Sequence, residues 1–229
     1  MDIGLKHTIV GNFYEQVGHQ ILGGSLSRND DGDICLWRLA TSVEVKASGY
    51  KSSYGFRLSL EQIERYGKIS RFPFDRAWYM FFAYRNNRGK RGERSTELAQ
   101  HTTAEAVRAY LASATMWGLI FDLSIVERWR KTRSVSSKSI MGHLGSQTID
   151  VRCSEAYDFA NDGLHFGLTQ LGVNPIAFST VTSRIKLSTT IGDVTYRLAF
   201  PLRAVLPCAE LPRLERLLRR RGYPTTRRN

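Results

Sequence analysis

The sequence predicts an α/β fold with a mixed central sheet flanked by helices, and three segments carry this prediction. Residues 5–22 place apolar side chains at helical spacing and stop at Gly23-Gly24. Residues 33–47 read as the two strands of a hairpin, because apolar and β-branched residues dominate them. Residues 76–84, RAWYMFFAY, are so rich in aromatic side chains that we expect a strand covered on both faces.

Two further elements complete the order helix, three strands, helix, strand. Leu26 is expected to end a short strand that runs into an Asn-Asp-Asp-Gly turn. Ser59 is a plausible N-cap for a second helix that continues through about Ile69. Residues 86–93, NNRGKRGE, are polar and basic and contain glycine, so they predict a loop.

The second half of the chain predicts an added helix and strand, then a boundary. Thr102 and Glu105 have the spacing of a capping box for a third helix that ends at about Ala114, and residues 117–126 read as a buried strand. Residues 128–138 are basic and Ser-rich, which favours a domain boundary. We therefore divide the chain into a core with an added helix–strand unit, residues 1–130, and a strand-rich extension, residues 131–229.

The extension carries two clear signals. Gly192-Asp193 predicts a hairpin turn between two strands. A final helix, LPRLERLLRRRG, has a leucine face and ends at Gly222. Its arginines make this helix basic, and the leucine face must pack on the domain or on a second subunit.

Composition limits the class of protein. Of the 229 residues, 42% are hydrophobic and 24% are charged, which is typical of a folded chain. No segment approaches the roughly 20 apolar residues that span a bilayer, and the N-terminus lacks the order of a secretory signal, so we expect a cytoplasmic protein without a membrane partner. Three scattered cysteines, Cys35, Cys153 and Cys208, argue against a disulfide framework and a structural zinc site. The net charge of +12 favours a polyanionic partner.

Two charges interrupt the apolar run of the second predicted hairpin strand. Because strand side chains alternate, Glu44 and Lys46 share one face while their neighbours Val43 and Val45 face the core. If the hairpin folds about Arg38 and Leu39, residues whose numbers sum to 77 oppose one another. Asp33 then lies across from Glu44. Carboxylates about 5 Å apart repel, and Mg²⁺ would neutralise them and leave positions for water and a phosphate.

These residues carry a family resemblance. Gly32-Asp33, followed eleven residues later by Glu44-Val45-Lys46, with Glu15 on the preceding helix, resembles the PD-(D/E)XK nuclease superfamily. The restriction-endonuclease-like core of that superfamily has the order helix, three strands, helix, strand (αβββαβ). The resemblance covers about residues 5–85, and Gly32 stands where the signature has proline.

A second element of the resemblance lies on the predicted second helix. Gln62 and Tyr66, in EQIERY, look like the QxxxY element of RecB-like nucleases within this superfamily. The iron–sulfur cluster of some members needs four cysteines, and this chain has three.

The resemblance implies a role for each matching residue. Asp33 and Glu44 would be metal ligands, with the carbonyl of Val45 as a possible third. Lys46 would activate or position the attacking water and stabilise charge on the phosphorane. The remaining residues of the implied catalytic set are Glu15, Gln62 and Tyr66.

Basic clusters supply candidate nucleic-acid contacts. One follows the fourth strand, at Arg85, Arg88, Lys90 and Arg91. Another follows the later strand, at Arg128, Arg130, Lys131 and Arg133. The two clusters could flank one groove, and the basic C-terminal helix forms a third cluster.

Taken together, the residues and the resemblance predict a Mg²⁺-dependent DNA endonuclease of restriction or homing type, in which Mn²⁺ could substitute. A structure-selective nuclease of the Holliday-junction-resolvase or RecB type is the near alternative. A nucleic-acid-binding protein that keeps the fold without cleaving, an RNA-directed nuclease and a structural basic protein stay open. The extension would serve DNA recognition or dimerisation, and a homodimer is expected from the need to cut two strands.

Overall fold

The computed structural model describes residues 1–27, 32–50, 52, 55–68, 74–85, 98, 100–135 and 147–228. The helices are α1 Ile3–Leu22, α2 Leu60–Gly67, α3 Ala104–Ser113, α4 Leu123–Thr132, α5 Cys153–Asn161, α6 Leu164–Gln170 and α7 Leu211–Arg220. The strands are β1 Ser25–Leu26, β2 Ile34–Leu36, β3 Thr41–Gly49, β4 Phe56–Ser59, β5 Arg76–Arg85, β6 Thr115–Asp122, β7 Thr148–Val151, β8 Phe178–Ile191, β9 Val194–Pro207 and β10 Thr225–Arg228.

An eight-stranded mixed sheet organises the molecule, in the order β1-β2-β3-β5-β6-β9-β8-β10. β3 pairs with β5 in parallel, and so does β6 with β9, while the other pairs are antiparallel. β4 and β7 form a separate two-stranded antiparallel sheet. The predicted α/β class, with a mixed central sheet flanked by helices, is confirmed.

The sheet carries a hydrophobic core on each face. On one face, Trp78, Met80 and Phe82 of β5 pack with apolar residues of α1, α3 and α7. On the other, Tyr79 and Phe81 pack with residues of α2, α4, α5 and α6. β5 is therefore covered on both faces, as its aromatic run predicts.

The first helix forms as expected and begins slightly earlier. The Asp2 carboxylate accepts a hydrogen bond from Gly4 N (3.0 Å), which caps a free amide at the start of α1. Phe13, Tyr14 and Val17 are buried against the sheet. The helix ends at Gly23, whose φ of 74° suits glycine. The short strand expected to end at Leu26 is β1.

The register predicted for the hairpin is confirmed. Ile34 pairs with Val43 and Cys35 with Ser42, so the paired residue numbers sum to 77. The connection is longer than a two-residue turn: a 3₁₀ turn covers Trp37–Leu39 and Ala40 adopts a left-handed φ of 47°.

The strand predicted at residues 117–126 is wrong in its second half. β6 ends at Asp122, whose carboxylate accepts a hydrogen bond from Ser124 N (2.9 Å) and so starts α4. Apolar periodicity could not separate a strand from the helix that continues it, because Ile125 and Val126 are buried in either case. The N-cap of α3 is likewise Thr103, one residue later than predicted.

The region after α4 is less strand-rich than predicted until residue 178. Within 147–177 the described chain forms the short strand β7 and the helices α5 and α6. The predicted hairpin at Gly192-Asp193 is confirmed, since Ile191 pairs with Val194 across the turn. β9 also pairs with β6, so a division of the chain at residue 131 would separate two paired strands of one sheet.

The leucine face of the last helix is confirmed. Leu211, Leu214 and Leu218 of α7 are buried in the core that also holds α1. The guanidinium of Arg221 donates to the carbonyl of Gln20 (2.8 Å), which ties the end of this helix to α1. Within the described ranges, no helix combines the length and apolar character that crossing a membrane requires.

Replacement of Asp122 tests the strand-to-helix switch. Asp122→Ala removes the cap of α4 and is expected to lower the free energy of unfolding by about 1 kcal/mol. Asp122→Asn keeps an oxygen acceptor and is expected to be neutral or stabilising, because burial raises the pKa of Asp122 and so disfavours its charge. Urea unfolding at pH 7 measures both. Equal losses in the two variants would contradict a role for the side-chain oxygen as a cap.

Candidate functional site

Asp33 is fixed at the start of β2 by two hydrogen bonds to β3. Its backbone N–H donates to the carbonyl of Val43 (3.0 Å), which continues the hairpin ladder by one residue. Its Oδ2 atom accepts from the N–H of Val45 (2.6 Å). Among the described residues, Oδ1 of Asp33 accepts no hydrogen bond. The carboxylate is thus held against β3 with one oxygen left for another ligand.

Glu44 is the centre of the cluster and is only 4% exposed. One of its oxygens accepts from the ammonium of Lys46 and from Gln62 Nε2 (3.0 Å). The other accepts from the hydroxyl of Tyr66. A buried carboxylate without such partners would be costly, so these three donors account for its place in an otherwise apolar sheet.

The second helix delivers two of these donors because of its spacing and its start. Gln62 and Tyr66 are four residues apart and share one face of α2. The hydroxyl of Ser59 accepts from Gln62 N (3.4 Å) at the first turn, as its predicted N-cap role requires. Ile63 is fully buried and anchors the helix on the sheet. The residues singled out by the QxxxY spacing therefore both reach Glu44.

Gly32 lies beside the site in a conformation that excludes proline. Its φ is +100°, whereas the proline ring fixes φ near −65°. A Cβ atom at this position would also lie 2.3 Å from Ser42 Oγ and 3.2 Å from the carbonyl of Val43. The departure from the signature residue is thus a structural requirement of this hairpin.

Glu15 approaches the site from α1. Burial raises the pKa of Glu15, the charge of Glu44 raises it further, and the charge of Lys46 acts in the opposite direction. These interactions place Glu15 within electrostatic reach of both residues. The structure thus joins Glu44 to Lys46, Gln62 and Tyr66 by hydrogen bonds and holds Asp33 against β3, whereas Glu15 is linked to the site by an electrostatic interaction.

The electrostatics of the cluster are dominated by excess negative charge. Burial raises the pKa of Asp33 to about 7, and the charge of Glu44 contributes in the same direction. Burial lowers the pKa of Lys46, but the attraction of Glu44 and Asp33 outweighs it, so that the net shift is upward. The charge of Glu44 thus disfavours the ionised forms of both Asp33 and Glu15, while the charge of Lys46 favours them.

The donor set fits a hard divalent cation that keeps open coordination positions. Within the described part of the chain, no three His, Cys, Asp or Glu side chains lie close enough to hold a metal ion on their own. Mg²⁺ does not need three, because it is commonly held by one or two carboxylates and completes its shell with water and substrate phosphate. Asp33 and Glu44 are the two carboxylates that could do this, and burial of Asp33, followed by the charge of Glu44, disfavours its ionised form despite the opposing charge of Lys46.

The predicted nucleic-acid contacts are placed unevenly. Arg85 is exposed at the end of β5, and Arg88, Lys90 and Arg91 lie outside the described residues. Arg128 and Lys131 are exposed on α4, so they lie within a helix and not directly after a strand as predicted.

Two members of the second basic cluster already have acidic partners within the chain. Arg130 forms an ion pair with Glu64 of α2 (3.0 Å). Arg133 pairs with Glu155 and donates to the carbonyl of Asp150 (3.0 Å). These pairs reduce the charge that the cluster offers to a polyanion, and they join α4 to α2 and α5.

One residue near the cluster escaped sequence reasoning. Tyr79 pairs in register with Glu44, is fully buried, and its hydroxyl has no hydrogen-bond partner among the described residues. Burial, followed by the charge of Glu44, raises the pKa of Tyr79 well above its usual value. Its position in an aromatic run gave no sign of this, because the parallel register between β3 and β5 is not readable from either strand.

No protein-family model matches the chain, and no curated protein or solved structure matches it either.

Substitution of Gly32 separates backbone conformation from steric contact. Gly32→Ala is expected to lower the free energy of unfolding by about 1–3 kcal/mol, and Gly32→Pro by more, because proline cannot reach a φ of +100°. Gly172→Ala is the matched control, since Gly172 has a φ of +66° and no described atom within 4 Å of a built Cβ. Chemical denaturation measures all three. A Gly32→Pro variant as stable as the parent would contradict the conformation of this hairpin.

The raised pKa of Asp33 predicts a pH-dependent cost of the metal-free site. Between about pH 4 and pH 7 the folded state keeps a proton that the unfolded state has lost, so stability falls as pH rises through this window. Asp33→Asn removes this cost and is expected to raise the free energy of unfolding by roughly 1–3 kcal/mol at pH 8. The same comparison near pH 4, where Asp33 is protonated, is the control, and thermal unfolding in EDTA measures both. If Asp33→Asn raised the free energy of unfolding equally at both pH values, the gain would not come from removing the charge of Asp33, and the prediction would be wrong.

Proposed function

We propose that the protein is a metal-dependent deoxyribonuclease that hydrolyses phosphodiester bonds as an endonuclease. One observation carries the proposal: Asp33, Glu44 and Lys46 meet on one hairpin, and Gln62 and Tyr66 from α2 bind Glu44. The excess of carboxylates over cations at this place suits a divalent metal ion and a phosphate.

The chain's own residues have distinct tasks in this proposal. Asp33 and Glu44 would hold Mg²⁺ or Mn²⁺, with the carbonyl of Val45 as a possible further ligand. Gln62 and Tyr66 orient Glu44 through their hydrogen bonds, as outer partners of metal ligands generally do. When bound, the metal ion supplies Lewis acidity and lowers the pKa of a coordinated water.

Lys46 would act on the substrate. Its ammonium is held at the site by Glu44 and its side chain is 25% exposed, in contrast to the 4% of Glu44. It can therefore meet a phosphate oxygen or an attacking water and stabilise the negative charge that develops on phosphorus. Glu15 would reach the site from α1 through water or a second metal ion, and its electrostatic interaction with Glu44 and Lys46 supports this assignment.

The order of elements is consistent with a restriction-endonuclease-like core within this nuclease proposal. The αβββαβ order of that core is matched by α1, β1, β2, β3, α2 and β5. Three of these strands, β2, β3 and β5, are also neighbours in the main sheet. β4 is inserted before α2 but pairs with β7 outside the main sheet.

Nicking of plasmid DNA tests the function. We expect cleavage in Mg²⁺ or Mn²⁺ and none in EDTA, while Asp33→Ala and Lys46→Ala lower the rate by roughly 100-fold or more and still bind DNA. Glu105→Gln is the control, because Glu105 is exposed in the first turn of α3, which packs on the opposite face of the sheet from Glu44. Undiminished cleavage by either site variant would remove the mechanism.

A choice of substrates then separates the kinds of nuclease. A linear duplex, a four-way junction and a single strand are offered side by side under the same conditions. Preference for the junction or the single strand would favour a structure-selective enzyme. Binding without cleavage in either metal would favour a protein that retains the fold for binding alone.

A further inference from the structure

The two longest strands of the sheet, β8 and β9, extend past their neighbours as a ribbon. β6 reaches β9 only at Leu202–Val205, and β10 reaches β8 only at Thr180–Ser183. Residues 184–201 therefore pair with one another and with no other described strand. About eight residues of each strand lie beyond the sheet, a length of roughly 27 Å.

The ribbon has one packed face and one open face. Ile185, Tyr196 and Leu198 point inward and are buried in the core that contains α1 and α3. The ring of Tyr196 lies 5.8 Å from that of Phe13. The outward residues alternate with these, and Arg184, Lys186 and Arg197 are exposed.

The outward face carries a regular series of cations, which we call the basic ribbon face. Its members are Arg228, Arg203, Arg184, Lys186 and Arg197. A row of the sheet is the set of residues that pair with one another across neighbouring strands, and each of these cations occupies a different row. The pairs are Arg228 with Thr180, Arg203 with Thr182, Arg184 with Pro201, Lys186 with Ala199 and Arg197 with Ser188. No outward residue of these described strand segments is acidic.

The spacing of these rows matches a nucleic-acid backbone. Rows on one face repeat every two residues, which is about 6.8 Å. Successive phosphates along one strand of B-DNA are about 3.4 Å apart along the helix axis. The distance between neighbouring rows therefore equals the distance covered by two phosphates. Five successive cations span about 27 Å, and small or hydroxyl side chains such as Ala199 and Ser188 stand opposite them and allow close approach.

A cavity at the wide end of this face is built from phosphate-binding groups. It has a volume of about 300 Å³ and is lined by Thr182, Arg203, Thr226 and Arg228. Guanidinium groups donate two parallel hydrogen bonds to phosphate oxygens, and threonine hydroxyls supply further donors. Arg203 is held in place by its hydrogen bond to the carbonyl of Ala160 (3.4 Å).

We propose that the basic ribbon face binds the sugar–phosphate backbone of duplex DNA, with one phosphate seated between Arg203 and Arg228. This inference rests on the proposed function for the identity of the polyanion and assigns substrate contacts outside the carboxylate site. A membrane surface fits less well, because no large exposed apolar side chain lies among the cations to enter a bilayer.

Two triple variants with the same charge change test the proposal. Arg184→Ser, Lys186→Ser and Arg197→Ser together remove three cations from the basic ribbon face. Arg213→Ser, Arg216→Ser and Arg220→Ser together remove three from α7, the third basic cluster of the sequence. This helix packs on the opposite face of the sheet and is therefore not expected to contact the duplex bound by the ribbon. Binding of a 24-base-pair duplex is measured by fluorescence anisotropy in EDTA from 0.05 to 0.5 M salt, so that cleavage does not interfere.

The ribbon triple variant is expected to lower the slope of log K against log salt by about 2.7, which is about 0.9 for each of three phosphate contacts. At 0.15 M salt this corresponds to roughly 100-fold weaker binding. The α7 triple variant is expected to keep most of the parent slope and affinity. Equal losses in the two variants would overturn the proposal, because they would reflect net charge alone.

The outcome is separable from that of the cleavage test. If the ribbon triple variant lowers the slope of log K against log salt but the parent never cuts DNA, this inference is supported and the nuclease proposal is contradicted. If the parent cuts DNA in the presence of metal but the ribbon variant binds DNA as the parent does, the nuclease proposal is supported and this inference is contradicted. Vesicles containing 30% phosphatidylserine provide the competing anionic surface. Ribbon-dependent binding to these vesicles, with duplex binding unchanged, would overturn the inference.

Discussion

The burial of the Glu44 carboxylate is the constraint on which the rest of the site depends. At 4% exposure a carboxylate without hydrogen-bond donors would be costly, and among the described residues of the main sheet one donor is supplied, the ammonium of Lys46. The others, Gln62 and Tyr66, come from α2, so the carboxylate and the helix hold one another in place. The short separate sheet of β4 and β7 continues directly into α2 and sets where that helix begins. A feature that is peripheral in the topology thus helps to position the donors of the site.

The three hydrogen bonds to Glu44 do not neutralise the other carboxylates near it, Asp33 and Glu15. Burial and the charge of Glu44 raise the pKa of Asp33 to about 7, and they also raise that of Glu15. Repulsion of this kind lowers the stability of the protein, and in the proposed function a bound divalent cation would offset it. The same excess charge therefore explains both the strain of the cluster and its expected affinity for a metal ion.

The parts of this site that sequence could predict came from local periodicity and from the family resemblance. Strand alternation placed Glu44 and Lys46 on one face, and the hairpin centre gave the register of β2 with β3. Gln62 and Tyr66 were singled out by the resemblance of EQIERY to a QxxxY element. What sequence could not predict depended on pairing between distant segments. Tyr79 lies beside Glu44 because β3 and β5 pair in parallel in this register. The start of α4 depends on the Asp122 side chain, which caps its first turn. The need for glycine at residue 32 likewise appears only in the folded hairpin, where φ is +100° and a Cβ would lie 2.3 Å from Ser42 Oγ.

The register of the sheet also relates the carboxylate site to the basic ribbon face. The row that contains Glu44 continues through Tyr79, Phe121, Val205 and Thr180 to Arg228, so both lie on the same face of the sheet. Five strand steps separate them, which is about 24 Å, and α5 packs on β6 and β9 between them. This distance exceeds the screening length of about 8 Å at physiological ionic strength. The arginines of the ribbon therefore cannot neutralise Asp33 or Glu15, and the charge imbalance of the site persists in a protein whose net charge is +12. A polyanion can therefore be attracted by the ribbon while the carboxylates keep the negative charge that, in the proposed function, a divalent cation would neutralise.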